Sequence, residues 1–195
     1  YHEAGHALVA RALPHTDPVH KITIMPRGRA LGYTMVLPDD DKYSTTRNQL
    51  LDQLAYSLGG RAAEELIFHD PSTGASNDIE KATALARAMV TQYGMTEAIG
   101  AIKLGSDASA PFMGRDYGHQ RDYSENVASI VDAEIRTLIE NAHQEAFDIL
   151  VANRSILGAM VLELLERETL NKEEIEVIFA KVSSWPRRPA CRGSG

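Results

Sequence analysis

The chain begins with two histidines four residues apart, His2 and His6, in the sequence HEAGH at residues 2–6. Residues 1–13 are rich in good helix formers and are followed by Pro14, so they are predicted to form a helix. Side chains at positions i and i+4 of a helix lie on the same face. Both imidazoles can therefore reach one metal ion, and the rest of the fold must bring further donors to this helix.

Glu3 lies beside the first histidine, but it is too short and wrongly directed to be a third metal ligand. It can instead take a proton from a water molecule whose pKa a metal ion lowers toward about 7. The motif alone therefore indicates a metallohydrolase with Glu3 as its general base. The alternative is a surface helix that merely contains two histidines.

The third metal ligand is not part of the opening motif. A catalytic zinc site needs three protein ligands and one open position, and HEAGH provides two ligands. A histidine six residues beyond His6 would complete a longer known pattern, but that position is Ala12. Further along the chain, the chemistry of the side chains leaves three comparable candidates for this ligand, Asp78, Glu64 and Glu65. Asp78 is a candidate because it falls in the first turn of a predicted helix, where the helix dipole favours a carboxylate.

The remaining sequence predicts a mainly α fold with a small β-sheet or hairpin near the N-terminus. Residues 19–25 and 31–37 are rich in β-branched residues and flank a Gly-containing connection, which indicates two neighbouring strands. Helical patterns dominate from Ser44 onward. The predicted starts of these helices are Thr45 or Thr46, Asn77, Ser124 and Thr169.

The 195 residues suit one domain with a small appendage, which we assign to residues 1–182 and 183–195. The segment 183–195 is predicted to be a disordered tail, and its last residues are compatible with a sequence added for expression. Residues 105–123 are rich in Gly, Ser, Asp and Pro and are predicted to form a long loop. Two glycines at 59–60 cost a helix about 1 kcal/mol each relative to alanine, so we expect close packing there against another backbone.

Composition excludes several other classes of protein. The formal net charge of -7 provides no basic field for binding phosphates, which argues against a nucleic-acid partner. The single cysteine, Cys191, allows neither an internal disulfide nor a cysteine-based zinc site. No apolar run approaches the roughly 20 residues that a membrane span requires.

Five segments in this order resemble the FtsH family of membrane-anchored, ATP-dependent zinc proteases: YHEAGHALVA, LGYTMVLP, GGRAAEEL, STGASNDIEKATALARAMVTQYGM and GRDYGHQRDYSENVASIVDAEI. The resemblance spans about residues 1–180. It implies a helical zinc metalloendopeptidase domain that binds one Zn²⁺ per subunit through His2, His6 and Asp78, with Glu3 as the general base.

The resemblance also ranks the glutamates that follow the double glycine. With Asp78 taken as the third ligand, one of Glu64 and Glu65 is expected to hold a ligand imidazole by a hydrogen bond, with Glu65 preferred. The alternative is that both belong to a solvated helix face.

The family couples this peptidase to an ATPase and a membrane anchor in one polypeptide. The chain has no G-x-x-x-x-G-K-[ST] sequence, so ATP and Mg²⁺ are expected only in an ATPase domain before Tyr1. The resemblance implies a homo-hexamer that degrades unfolded, damaged and membrane proteins. It also implies contact with a membrane only through the preceding segment, and a peptidase domain facing the bacterial cytoplasm, or the matrix or stroma of an organelle.

Two other functions stay open from the sequence. One is a stand-alone zinc peptidase with a glutamate as third ligand. The other is a ring-forming module without activity. The presence of all four candidate site residues argues against this second alternative: His2, Glu3, His6 and Asp78. The strand at residues 31–37 is a candidate edge for pairing with an extended substrate, and the alternative is a strand paired on both sides.

Overall fold

The computed structural model describes residues 1–26, 32–38, 43–105 and 123–188. Within these ranges the domain is mainly helical and carries one small antiparallel sheet, which confirms the predicted fold class. The helices are α1 His2–Ala12, α2 Arg47–Phe68, α3 Ser76–Thr91, α4 Glu125–Ala152, α5 Arg154–Arg167 and α6 Lys172–Ile178. The strands are β1 Val19–Thr23, β2 Tyr33–Val36 and β3 Thr169–Asn171. None of the helices in this described part combines the length and hydrophobicity of a membrane-spanning segment.

Polar caps explain where two of the long helices begin. Thr46 caps α2 in a reciprocal arrangement with Gln49, in which each side chain accepts a hydrogen bond from the other residue's backbone N–H. Ser124 caps α4 by accepting from the N–H of Val127, as predicted. The predicted cap at Asn77 is wrong, because a 3₁₀ turn at Thr73–Ala75 runs directly into α3 and no side chain caps that helix.

The sheet has the strand order β2-β1-β3, with both neighbouring pairs antiparallel. The first two strands are the predicted neighbouring pair. The third was assigned to the start of a helix, but Thr169 pairs with Thr23 instead, and α6 begins after its own cap at Asn171. A strand of three residues has no periodicity that a sequence pattern can detect.

Helices α1 and α2 cross with their backbones in contact. A methyl group at Gly5 would lie 2.5 Å from the carbonyl oxygen of Gly59, and one at Gly59 would lie 3.0 Å from that of Gly5. A side chain at Gly5 would collide with the α2 backbone and one at Gly59 would be very tightly packed, which explains the first of the two glycines inside α2. The crossing places α1 in the middle of the core, where Leu8 is fully buried.

Residues 183–188, which the sequence analysis placed in the tail, form neither helix nor strand but contact the helices. The N–H of Trp185 donates to the carbonyl of Ala12, 2.8 Å away. The Arg188 guanidinium pairs with the buried carboxylate of Asp52 on α2 and with Glu145 on α4. The predicted tail residues 189–195 and nearly all of the predicted long loop lie outside the described residues.

Candidate metal centre

Two helices bring the three predicted metal ligands together. His2 and His6 extend from α1, and Asp78 extends from the first turn of α3. The two Nε2 atoms are 3.1 Å apart, and the Asp78 Oδ2 atom lies 3.2 Å from that of His2 and 3.3 Å from that of His6. The three donor atoms thus form a nearly equilateral triangle with one atom at each corner.

This donor set fits zinc. Imidazole nitrogen and carboxylate oxygen bind zinc at about 2.0–2.2 Å, so three tetrahedrally arranged donors lie roughly 3.3–3.6 Å from one another. The triangle is only slightly smaller than that. Within the four described ranges, His2, His6 and Asp78 are the one group of His, Cys, Asp and Glu residues close enough to share an ion. They leave the open position that a catalytic zinc site needs.

Both imidazoles are oriented by a hydrogen bond at the other ring nitrogen. The Nδ1 atom of His6 is 2.8 Å from the carbonyl oxygen of Tyr56. Because a carbonyl only accepts, Nδ1 carries the proton and the lone pair lies on Nε2. The Nδ1 atom of His2 is 2.8 Å from the Glu64 carboxylate, which imposes the same tautomer. The nitrogens that face Asp78 are therefore the ones able to bind a metal ion.

Glu64, and not Glu65, holds the imidazole of His2, so the preference for Glu65 was wrong. Glu64 is buried, and its second oxygen accepts from the N–H of Ser72, 2.8 Å away in the segment that leads into α3. One carboxylate thereby joins the histidine helix to the segment that carries the aspartate.

Glu65 points to a different neighbour. Its carboxylate accepts from Arg61 Nε at 2.5 Å and lies 2.9 Å from His143 Nε2 on α4. It therefore lies against Arg61 and α4 and does not face the His2 imidazole.

Gly60 provides the space in which the two imidazoles meet. A methyl group there would lie 2.5 Å from His6 Nε2 and 2.6 Å from His2 Nε2, far inside van der Waals contact. The glycine is also a sequence signal that points to Glu64. If position 60 faces the imidazoles, position 64 lies one helical turn further on the same face, whereas position 65 is rotated away from it.

The electrostatics of the cluster favour a positive charge at its centre. Burial opposes ionisation of Asp78. In the metal-free protein, however, a second proton on Nε2 of His2 or His6, at the place that a metal ion would take, donates to Asp78, and these hydrogen bonds and their charge lower the Asp78 pKa. Burial likewise opposes the charged form of His2, yet its contacts with Asp78 and Glu64 raise the His2 pKa. The pKa of Glu64 is lowered because the N–H of Ser72 and the ring of His2 outweigh its burial. The carboxylates thus attract a cation to the Nε2 atoms.

The predicted base, Glu3, is held on the side of α1 that faces the sheet. The hydroxyl of Thr34 on β2 lies 2.8 Å from Glu3 Oε2 and 3.0 Å from the Glu3 carbonyl oxygen. Sequence reasoning did not single out Thr34, because the contact joins a helix and a strand with no shared pattern.

A groove of about 520 Å³ lies between β2 and one face of α2. All four residues of β2 line it, and the opposite wall includes Gln49, Gln53 and Tyr56. Tyr56 also belongs to the metal centre, because its ring packs at 5.5 Å from that of His6. Within the described residues β2 pairs only with β1, so its other edge is open to the groove.

Comparison with known proteins agrees with this geometry. The model of peptidase family M41 matches residues 1–178. Over 194 residues the chain is 64% identical to the ATP-dependent zinc metalloprotease FtsH of Cutibacterium acnes (strain SK137), covering 100% of this chain and 27% of the relative. It is 53% identical over 199 residues to the protein of that name from Rubrobacter xylanophilus, covering 100% of this chain and 31% of the relative. The relative of that name from Mycobacterium leprae (strain TN) is 50% identical over 187 residues, covering 96% of this chain and 24% of the relative. The chain thus spans about a quarter to a third of the length of these relatives.

Proposed function

The chain belongs to peptidase family M41 and is a zinc metalloendopeptidase, and on this premise we propose that it forms the proteolytic part of an ATP-dependent protease. The observation that carries the proposal is the triangle formed by His2, His6 and Asp78, with Glu3 next to His2 in the sequence. This arrangement supplies three ligands, an open position and a base, which together are what zinc-dependent hydrolysis requires.

In the proposed mechanism, each residue has one task. His2, His6 and Asp78 hold the ion, and the Glu64 carboxylate and Tyr56 carbonyl keep the two imidazoles in the ligating tautomer. Zinc, when bound, supplies Lewis-acid activation of a water molecule and of the substrate carbonyl. Glu3 accepts the proton of the attacking water and then delivers it to the nitrogen of the departing amine.

We propose that an extended substrate docks along the open edge of β2. Leu37 N donates to the carbonyl of Pro18 beside β1, so alternation along the strand directs the N–H groups of Val36 and Thr34 toward the groove. Backbone pairing reads no side chains, which suits a protease that must accept many sequences. The groove connects this edge to Tyr56, next to the metal centre.

Val36→Pro is expected to weaken binding of unfolded polypeptides, because it removes one N–H that faces the groove and keeps those that pair with β1. We expect the KM for an unfolded protein to rise by about tenfold, the equivalent of one or two lost hydrogen bonds, while the zinc content stays the same. Val36→Ala, which retains the N–H, is the control for the lost side chain. An unchanged KM in the proline variant, with the fold intact, would exclude docking at this edge.

The wider function follows from the relatives, whose names describe ATP-dependent zinc metalloproteases. We propose that the whole protein carries an ATPase that uses ATP and Mg²⁺ and a membrane anchor, and that it works as a homo-hexamer on unfolded, damaged and membrane proteins. We place the peptidase domain on the cytoplasmic side of the bacterial inner membrane, or on the matrix or stromal side in an organelle. Light scattering of the whole protein that showed only monomers at high concentration would contradict the hexamer.

The function is tested by zinc measurement and casein cleavage on the same sample. We expect one zinc per chain and cleavage of unfolded casein that is lost on chelation and restored by added zinc. ATP should not change the rate for this chain, because it contains no phosphate-binding loop of the G-x-x-x-x-G-K-[ST] type. A chain that binds zinc but cleaves nothing would support a ring-forming module, and a chain that binds no zinc would contradict the proposal.

A further inference from the structure

Among the described residues, Thr34 is the one whose side chain donates a hydrogen bond to the Glu3 carboxylate. Its hydroxyl lies 2.8 Å from Glu3 Oε2, which is within the usual range for an O–H···O hydrogen bond. The carbonyl oxygen of Glu3 is a second possible acceptor at 3.0 Å. A hydroxyl has one proton to donate, and the ionised carboxylate is both the closer and the stronger acceptor. The contact therefore fixes one oxygen of the carboxylate and leaves Oε1 to handle protons.

The position of Thr34 is itself well determined. The residue lies in β2 opposite Ile22, which is fully buried in the core. Its β-branched side chain has few rotamers, so a fixed backbone also fixes the hydroxyl. Nearby, a methyl group at Gly32 would lie 3.2 Å from Glu3 Cγ and 2.6 Å from the Thr23 carbonyl. Glycine at that position allows the strand to approach Glu3 closely.

We propose that Thr34 is a positioning residue that aligns Glu3 with the substrate, an inference that rests on the proposed role of Glu3 as the base. Alternation along β2 directs the backbone N–H of Thr34 toward the groove, and its side chain holds the carboxylate. Thr34 thereby contacts both partners: its backbone N–H pairs with a peptide docked along β2, and its hydroxyl holds the base. Thr34 does not touch the reacting atoms, and it acts through the orientation of Glu3.

The matched variants are Thr34→Val, which keeps the shape and loses the hydroxyl, and Thr34→Ser, which keeps the hydroxyl. For hydrolysis of unfolded casein we expect Thr34→Val to lower kcat about 10- to 100-fold, with KM and zinc content close to those of the unaltered protein. Thr34→Ser should recover most of the rate. Thr169→Val removes a hydroxyl from β3 that pairs with Thr23, so it controls for the loss of a sheet threonine and should leave kcat unchanged.

A second readout does not depend on catalysis. In the zinc-free protein, Thr34→Val and Glu3→Ala are combined in a double-mutant cycle, in which urea unfolding gives the free energy of unfolding of each variant. The hydrogen bond predicts that the double variant loses less stability than the sum of the two single variants.

The outcomes separate the two proposals. Additive losses of stability, or a Thr34→Val protein with a normal kcat while Glu3→Gln is inactive, would overturn the role of Thr34 alone. A fully active Glu3→Gln protein would instead overturn the proposed base.

Discussion

Glu3→Gln is expected to abolish peptide hydrolysis while the zinc content remains that of the unaltered protein. The amide has nearly the shape of the carboxylate and can still accept the hydrogen bond from Thr34, but it cannot take a proton from water. General-base catalysis contributes about 10²–10⁴-fold to a rate, so the loss should reach at least that range. The metal should remain because the proposed ligands are His2, His6 and Asp78, and Glu3 is not among them.

The measurement is hydrolysis of unfolded casein with zinc determined on the same preparation. Glu65→Gln is a matched control, because it makes the same chemical change on a carboxylate that contacts Arg61 and His143 instead of the metal centre. We expect this control to cleave casein at nearly the normal rate. Undiminished turnover in Glu3→Gln would remove Glu3 from the mechanism.

Local patterns were sufficient for the parts of the fold that depend on neighbours in sequence. Helix α1 and its two histidines follow from helix propensity and i, i+4 spacing, and the caps at Thr46 and Ser124 follow from the side chains that bind free N–H groups. The strand β3 was missed for the opposite reason. Its three residues are stabilised by pairing with β1, which lies far away in sequence.

The site shows the same division between local and distant information. Asp78 lies 76 positions after His2, so only the fold brings the two together. Chemistry alone left it level with Glu64 and Glu65, and the family resemblance was needed to rank it first. The choice between the two glutamates was wrong because it ignored helix register. Gly60 marks the face of α2 that meets the imidazoles, and Glu64 is on that face.

Asp78→Asn is expected to remove zinc from the protein and activity with it. The change keeps the size of the side chain but removes its negative charge, and an amide oxygen is a poor zinc ligand. It also leaves His2 and His6 without the anion that favours positive charge between them. We expect the affinity for zinc to fall by more than the 10–100-fold that is typical for the loss of a residue that only orients a ligand.

Two glutamate variants form a graded series with Asp78→Asn. Glu64→Gln alters the hydrogen bond to His2 but no ligand, so its zinc affinity should fall by about 10–100-fold. Glu65→Gln should have the smallest effect, because its carboxylate joins α2 to α4 away from the ion. The series thus separates loss of a ligand from loss of an orienting contact and from a change elsewhere on the same helix.

The most direct test of the account is the zinc content of these three variants and the unaltered protein, measured side by side after dialysis against a weak chelator. The account predicts about one zinc per chain in the unaltered protein and in Glu65→Gln, a reduced amount in Glu64→Gln and almost none in Asp78→Asn. A metal-free Glu65→Gln beside a zinc-replete Asp78→Asn would contradict it.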